Sequence, residues 1–291
     1  MRDIDLRGKV VIVTGAAQGL GKAIAQGLAR AGANVALCDV SEEQLDVVAV
    51  DLGNECGSDR IFAAATDVSN EKSTRQFVDS VASRFGQIDA LINNAALGCA
   101  SVRPDFMSSP IPIWKMDPAE WRRVIEVNTN GTFLLTRWAT PHMVRRGAGR
   151  IINVTTTFQT MLAPKFGAYG PSKAAVEAMS SILVEELEDT GVTVNIVVPG
   201  GPADTAQVPD SLIEDRSKLL RPDVMIAPIL WLCSDASAET TGLRFSGALW
   251  DESLSSQQSI EKSCKPIAWR QLVEPLVTAV GVDVQTSRTQ Q

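Results

Sequence analysis

Residues 9–21 read KVVIVTGAAQGLG. The apolar, β-branched run 9–14 predicts a buried strand, and Gly15 ends it. A helix-like segment with small residues follows over 20–31. A glycine-rich turn between a strand and a helix lets backbone N–H groups approach a pyrophosphate, and the helix N-terminus adds partial positive charge. The stretch therefore predicts the first unit of a nucleotide-binding α/β sheet.

The glycines of this turn each have a predicted role. Gly15 makes the tight turn, Gly19 permits close approach of the backbone, and Gly21 permits close packing of the helix. Gln18 and Leu20 lie between them and complete the predicted phosphate-binding segment. An ordinary tight strand-to-helix turn can have the same composition, so the interpretation needs support from other residues.

Strand-like and helix-like segments alternate along the rest of the chain. Further strands are predicted over 34–38, 61–65, 88–93, 150–155, 192–198 and 243–250. Helices are predicted over 41–52, 71–85, 117–146, 168–190, 211–219 and 222–233. Apolar strands in this alternation predict an α/β fold with a parallel sheet covered on both faces. Residues 1–254 are thus predicted as one domain with a substrate loop over 98–116, and 255–291 as a polar tail that docks on a neighbouring subunit or stays loose.

The composition argues against several classes of partner. The net charge is −7, which repels phosphate backbones and anionic lipids, so neither nucleic acid nor a membrane is expected to bind. The five cysteines form no Cys-x-x-Cys pair and the single histidine is remote from them, which predicts no disulfide framework and no metal site. Residues 1–6 lack the apolar core of a signal peptide, and a cytoplasmic protein is expected.

Acidic residues at strand ends bear on the choice of nucleotide. Asp39 ends the second predicted strand, 18 residues after Gly21. A carboxylate there can accept hydrogen bonds from ribose hydroxyls and would repel a 2′-phosphate. No Lys or Arg lies between Gly15 and Gly21 or directly after Asp39, so NAD is favoured over NADP. Asp67 and Val68 follow the third strand and are predicted at the adenine edge.

The only tyrosine of the chain, Tyr169, precedes Lys173 by four residues. On a helix this spacing places both side chains on one face, one turn apart. A nearby ammonium and the positive ring of an oxidised nicotinamide would both favour the phenolate, which suits a general acid/base. A solvent-facing helical pair has the same spacing, so this pattern also needs support.

The support comes from motifs that occur in a fixed order. They are TGAAQGLG at 14–21, NNAA at 93–96, VNTNG at 127–131, YGPSK at 169–173 and NIVVPG at 195–200. Over residues 6–250 the chain resembles the short-chain dehydrogenase/reductase family, whose motifs read TGxxxGxG, NNAG, an asparagine-bearing helix, YxxxK and a strand ending in Pro-Gly. The resemblance implies a Rossmann-type, doubly wound, seven-stranded parallel sheet in a single domain.

The resemblance also implies a catalytic tetrad of Asn128, Thr156, Tyr169 and Lys173. The family has serine thirteen residues before its tyrosine, where this chain has Thr156, which keeps a hydroxyl but adds a methyl group. Lys173 is implied to lower the pKa of Tyr169 and to hold the nicotinamide ribose, and Asn128 to hold a water that links Lys173 to solvent. By family habit the protein is a homodimer or homotetramer.

Further cofactor contacts are implied by the same resemblance. They are Asn94, Ala95, Pro199, Gly200 and Thr205. Ala96 stands where the family has glycine. Asp204 stands where the family threonine is expected, and an extra residue in the turn would return Thr205 to that role.

The substrate is specified only by candidate pocket walls. Phe106, Trp114, Phe158 and Phe166, together with Thr156, predict a pocket for an apolar or aromatic secondary alcohol or ketone. The same aromatic residues could instead pack as a lid core or as a subunit contact.

Two other functions fit part of the pattern. One is a family relative that uses its bound nucleotide for epimerisation or dehydration, against which the short region after the Pro-Gly turn argues. The other is a non-catalytic or weakly active NAD-binding protein, which the threonine at position 156 leaves open.

Overall fold

A sheet of eight strands forms the centre of the molecule. The computed structural model describes residues 4–106, 108–210, 213 and 215–272. The strands are β1 Val10–Thr14, β2 Asn34–Asp39, β3 Ile61–Ala65, β4 Ala90–Asn93, β5 Gly149–Val154, β6 Val192–Val198, β7 Leu243–Ser246 and β8 Cys264–Pro266. Their order is β3-β2-β1-β4-β5-β6-β7-β8, and only the β7–β8 pair is antiparallel. The predicted doubly wound parallel sheet is confirmed, with one further strand at its edge.

Helices cover both faces of this sheet. They are α1 Gly19–Arg30, α2 Glu42–Cys56, α3 Glu71–Phe85, α4 Cys99–Val102, α5 Pro118–Ile125, α6 Gly131–Arg146, α7 Phe158–Leu162, α8 Tyr169–Glu186, α9 Ile226–Cys233 and α10 Ser256–Ser263. Alternate residues of β1 serve the two faces. Val11 and Val13 pack in the cluster that includes α1 and α9, whereas Val10 and Ile12 pack in the cluster that includes α3 and α6. Both faces of the strand are therefore buried, as its continuous apolar run predicts. Within the described ranges, none of the helices is both long and apolar enough to cross a bilayer.

The strand order places the site. The chain runs outward from β1 to β2 and β3, then returns to β4 on the other side of β1. A crevice opens at the carboxyl ends of the strands at such a switch point, and ligands bind there in open α/β sheets. The glycine turn after β1 and the motif after β4 both lie at this crevice.

The helix predicted over 117–146 is interrupted. The side chain of Asp117 accepts a hydrogen bond from the N–H of Ala119 at 2.8 Å, and Pro118 occupies the first turn, so α5 begins as predicted. A π-helical turn over Glu126–Asn130 then separates α5 from α6. Such turns are rare and are often found at functional sites, and this one carries Asn128.

Residues after 254 add to the sheet instead of leaving it. A capping box between Ser255 and Gln258 begins α10, and β8 then pairs with β7 through Phe245 and Cys264. The tail predicted over 255–291 is therefore ordered on its own chain as far as 272, and 273–291 lie outside the described residues. A strand of three residues is too short to show a two-residue periodicity, which is why the sequence did not predict it.

Candidate active site

Two glycines of the turn after β1 have no room for a side chain. Gly15 has a φ of +65°, a conformation that favours glycine, and a Cβ atom there would lie 2.8 Å from the Cα of Ala95. A Cβ atom on Gly21 would overlap the carbonyl oxygen of Gly15. At these two glycines the backbone at the N-terminus of α1 carries no side chain, which fits a pyrophosphate.

Replacement of Gly21 by alanine is expected to cost about 1–3 kcal/mol of unfolding free energy, because the added methyl overlaps backbone atoms that cannot rotate away. Thermal or denaturant unfolding measures this directly. Gly53 is the matched control, since it also lies in a helix but its Cβ would meet no atom closer than 3.4 Å. Gly53→Ala should be neutral or stabilising by about 0.5–1 kcal/mol. Equal losses in both variants would contradict the close packing at Gly21.

The turn is tied to the motif that follows β4. The hydroxyl of Thr14 accepts hydrogen bonds from the N–H groups of Asn94 at 3.0 Å and Ala95 at 2.9 Å. The side-chain Nδ2 of Asn94 donates to the carbonyl of Thr14 at 2.8 Å and to that of Gly15 at 3.2 Å. Both predicted residues therefore lie at the crevice, and the side chain of Asn94 braces the glycine turn.

Asp39 also reaches the glycine turn. Its carboxylate accepts hydrogen bonds from the N–H of Ala17 and from the N–H of Ser41, each at 3.1 Å. Each carboxylate oxygen has a second lone pair, so acceptor capacity remains for a ribose hydroxyl. The structure therefore brings Asp39 to the position expected for recognition of the adenosine ribose.

Asp67 and Val68 lie at the rim beyond β3. Asp67 is exposed and accepts from the N–H of Ser69 at 2.9 Å and from its hydroxyl at 2.6 Å. Val68 is buried and packs against Gly131, where a Cβ atom would lie 2.9 Å from a Val68 methyl. This packing gives Val68 a structural role that the sequence did not indicate.

The catalytic candidates meet at the end of β5 and the start of α8. Burial raises the pKa of Tyr169 to about 12; a hydrogen bond with the Thr156 side chain lowers it, and the Cys99 thiolate charge raises it. The ammonium of Lys173 is buried and donates to the carbonyl of Val154 at 2.8 Å. Burial lowers the pKa of Lys173 to about 8.

The sequence led us to expect that Lys173 would lower the pKa of Tyr169. In the structure Lys173 is not among the groups that shift it, and the direction of the shift is upward. The reason is desolvation, which disfavours the phenolate in a buried site.

The side chain of Asn128 links two segments of the site by hydrogen bonds. It is fully buried in the π-helical turn, and its Oδ1 accepts from the N–H of Leu97 at 2.7 Å. Its Nδ2 donates to the carbonyl of Leu97 at 3.0 Å and to the hydroxyl of Ser172 at 2.9 Å. The segment after β4 is thereby tied to α8 between Tyr169 and Lys173. A water held by Asn128 remains a prediction.

The segment after β6 folds back over the glycine turn. Pro199 is half-buried, and Gly200 has a φ of +97°. The methyl of Thr205 would lie 3.2 Å from a Cβ atom on Gly19, so the predicted cofactor contact reaches the turn. Gln18 is exposed and Leu20 is half-buried at the N-terminus of α1 beside this contact.

Arg216 holds this segment, and no sequence motif indicates this role. Its guanidinium donates to the carboxylates of Asp204 at 2.8 Å and Asp210 at 2.6 Å. It also donates to the carbonyls of Val208 at 3.0 Å and Thr205 at 3.2 Å. An arginine among several aspartates was the available signal, but only the fold shows which carboxylates it meets.

A cavity adjoins Tyr169 on the side of the loop after β4. It is lined by Cys99, Val102, Arg103, Phe106, Met116, Glu120, Val124, Lys165, Ala168 and Tyr169. Of the predicted substrate residues, Phe106 lies in this wall, and Phe166 packs edge-on against it with ring centroids 5.6 Å apart. Met107, in the same loop, lies outside the described residues. The cavity is mainly apolar but carries Arg103, Glu120 and Lys165.

Two predicted substrate residues lie elsewhere. The side chain of Trp114 is 79% exposed in a short turn and does not line the cavity. The ring of Phe158 lies 4.4 Å from the guanidinium carbon of Arg244 and 5.6 Å from the ring of Trp269. The position of Phe158 follows from contacts over more than 80 residues of sequence, which local pattern does not reveal.

The comparisons with known proteins identify the family. The family model for short chain dehydrogenases matches residues 9–212. The chain is 32% identical over 249 residues to D-threitol dehydrogenase of Mycolicibacterium smegmatis, covering 82% of this chain and 91% of the relative. It is 30% identical over 253 residues to glucose 1-dehydrogenase 2 of Bacillus subtilis, covering 82% and 92%.

A solved structure is similar over the same region. It is a protein of Escherichia coli described as a short chain dehydrogenase complexed with NADPH, with a TM-score of 0.74 and 30% identity, covering 85% of this chain and 99% of that one. This chain therefore belongs to the short-chain dehydrogenase/reductase family of oxidoreductases, and the family expected from its motifs is confirmed.

Proposed function

We propose that this protein is an NAD-dependent oxidoreductase that interconverts a secondary alcohol and its ketone, with Tyr169 as the acid/base. One observation supports the proposal above the others. A half-buried phenol, a threonine hydroxyl and a buried ammonium gather at the end of β5, beside the crevice at the glycine turn.

The residues of the chain divide the chemistry between them. A bound nicotinamide supplies the acceptor or donor of hydride. Thr156 and Tyr169 together bind the oxygen of the substrate, and Tyr169 as phenolate takes the hydroxyl proton in oxidation. In reduction Tyr169 returns that proton to the carbonyl oxygen. Lys173, whose ammonium donates to the carbonyl of Val154, would hold the nicotinamide ribose.

The preference for NAD rests on Asp39. Its carboxylate lies beside the glycine turn and would repel a 2′-phosphate. The similar Escherichia coli structure carries NADPH, so the proposal of NAD rests on this chain's own residues and not on that likeness. Because the position directly after Asp39 is an exposed valine and not a cation, we propose NAD for this chain.

The substrate proposal follows from the cavity beside Tyr169. Phe106, against which Phe166 packs, lies in its wall beside Val102, Met116 and Val124, and this apolar lining suits an apolar or aromatic carbon skeleton next to the reacting carbon. The proposed assembly is a homodimer or homotetramer, for which Phe133 on α6 and Ile182 on α8 offer apolar surface, 48% and 57% exposed. Free thiols at all five cysteines fit a reducing cytoplasm.

The test of this function is formation of NADH from NAD with a panel of secondary alcohols, in wild type and in two variants of Thr156. Thr156→Ser keeps the hydroxyl, and we expect it to retain most of the activity. Thr156→Val keeps the shape without the hydroxyl, and we expect kcat to fall about 100-fold, because the substrate oxygen loses a partner. Dinucleotide binding without turnover by any alcohol or ketone would instead indicate the non-catalytic alternative.

A further inference from the structure

A buried ion pair lies directly behind the catalytic residues and takes no part in the proposed chemistry. Glu177 lies on α8, one turn after Lys173, and its side chain is fully buried. Arg244 lies on β7 with 10% of its side chain exposed. The Nε of Arg244 donates to Oε1 of Glu177 at 2.9 Å. The two residues are 67 positions apart in sequence, so only the fold brings them together.

The pair also forms hydrogen bonds with residues at the end of β5. Glu177 accepts from the hydroxyl of Thr155 at 2.8 Å. Arg244 donates from Nη2 to the backbone carbonyl of Thr156. Lys173 already holds the carbonyl of Val154. Each of the residues 154–156 is therefore hydrogen-bonded to a different charged side chain.

The C-terminal segment also contacts the ion pair. The N–H of Ala268, just after β8, donates to the remaining oxygen of Glu177 at 3.1 Å. The ring of Phe158 covers the guanidinium of Arg244, and Trp269 packs against that ring. Both oxygens of Glu177 and the Nε and Nη2 of Arg244 thus have hydrogen-bond partners, which a buried pair needs if desolvation is not to dominate.

We propose that Glu177 and Arg244 are positioning residues that hold Thr156 with its hydroxyl toward Tyr169, and that residues 264–269 complete this support. The inference rests on the proposed function, because it assumes that the Thr156 hydroxyl binds the substrate oxygen. The backbone carbonyl of Thr156 is fixed by a planar guanidinium fork, which also engages Glu177. An apolar pair of the same volume would fill the space but could not hold that carbonyl.

The first test compares Arg244→Met with Arg270→Met. Arg270 is a matched control, since it also joins the C-terminal segment to α8, through Glu185 at 2.6 Å, but touches no residue of the site. We expect Arg244→Met to lower kcat by about 10-fold to 100-fold, because a small misplacement of a catalytic hydroxyl has an effect of this size. The dissociation constant for NAD should change less than about 2-fold. The reason is that the glycine turn follows β1, whereas Arg244 contacts the end of β5. Arg270→Met should match wild type in both.

The second test needs no turnover. Tyr169 is the only tyrosine, so the near-ultraviolet absorbance of phenolate titrates this residue alone. The charged or titratable groups around it are Cys99, Arg103, Glu120, Lys165 and Lys173, and every variant keeps them. Because the Thr156 hydroxyl lowers the pKa of Tyr169, both Arg244→Met and Thr156→Val should raise the pH of phenolate formation in the NAD complex, whereas Arg270→Met should not.

The outcomes separate the two proposals. Should Arg244→Met fail to fold, Arg244→Lys and Glu177→Gln carry the same measurements, since each keeps volume but loses part of the fork geometry. A loss of thermal stability with kcat and the Tyr169 titration unchanged would overturn the positioning role. Absence of turnover in wild type would sink the proposed function, yet the titration would still decide whether Arg244 orients Thr156.

Discussion

Tyr169→Phe should lower kcat for alcohol oxidation by about 1000-fold while the protein still binds NAD. The phenol is the group proposed to take the hydroxyl proton, and proton transfer by a positioned side chain contributes on this scale. Removal of the oxygen leaves the ring, so the packing of α8 is kept. Initial rates of NADH formation and a direct titration of dinucleotide binding measure the two halves of this expectation.

Two controls make the result decisive. Ser172 lies in the same turn of α8 but hydrogen-bonds to Asn128 and to the carbonyl of Tyr169, so Ser172→Ala tests the effect of disturbing the helix without removing the acid/base. We expect it to lose much less activity than Tyr169→Phe. The Tyr169→Phe protein also lacks phenolate absorbance, because the chain has no other tyrosine. Turnover near the wild-type rate in Tyr169→Phe would rule out a phenol-based mechanism.

The parts of the site that could be predicted from sequence are those that local geometry determines. The glycine turn follows directly from strand, turn and helix signals within thirteen residues. Tyr169 and Lys173 are one helical turn apart, so their shared face needs no knowledge of the rest of the fold. Asp39 was found because a parallel strand must end at the same edge of the sheet as its neighbour.

What could not be predicted depends on contacts across the fold. Arg216 gathers carboxylates and carbonyls of one loop, and Arg244 meets Glu177 from another strand. No periodicity distinguishes these arginines from exposed ones. Phe158 was expected in a substrate wall because it is aromatic and close to Tyr169 in sequence, but the cation of Arg244 and the ring of Trp269 hold it elsewhere.

The pKa of Tyr169 shows a different kind of limit. The sequence identifies a nearby lysine, which lowers the pKa of a phenol, but it does not measure how deeply the phenol is buried. In the structure burial is the largest effect and has the opposite sign. A motif thus shows which residue is near the phenol in sequence. Whether nearby charge or desolvation determines the pKa of the phenol depends on the surrounding packing.

The proposed preference for NAD over NADP should reverse in the double variant Asp39→Asn, Val40→Arg. Loss of the carboxylate removes a charge-assisted hydrogen bond to the ribose and the repulsion of a 2′-phosphate. Val40 is 69% exposed, so an arginine there can reach solvent and a phosphate without disturbing the core. The ratio of kcat/KM for the two dinucleotides should shift by about 100-fold, which corresponds to about 2.7 kcal/mol.

Asp67→Ser is the matched control for this change, because the adenine that it would contact is common to both dinucleotides. It should weaken both to the same extent and leave their ratio unchanged. Asp39 also accepts from the backbone of Ala17 and Ser41, and asparagine can replace only part of that capacity, so thermal unfolding should accompany the kinetics. A wild type that already prefers NADP, or a ratio unmoved by the double variant, would show that this carboxylate braces the glycine turn without selecting the nucleotide.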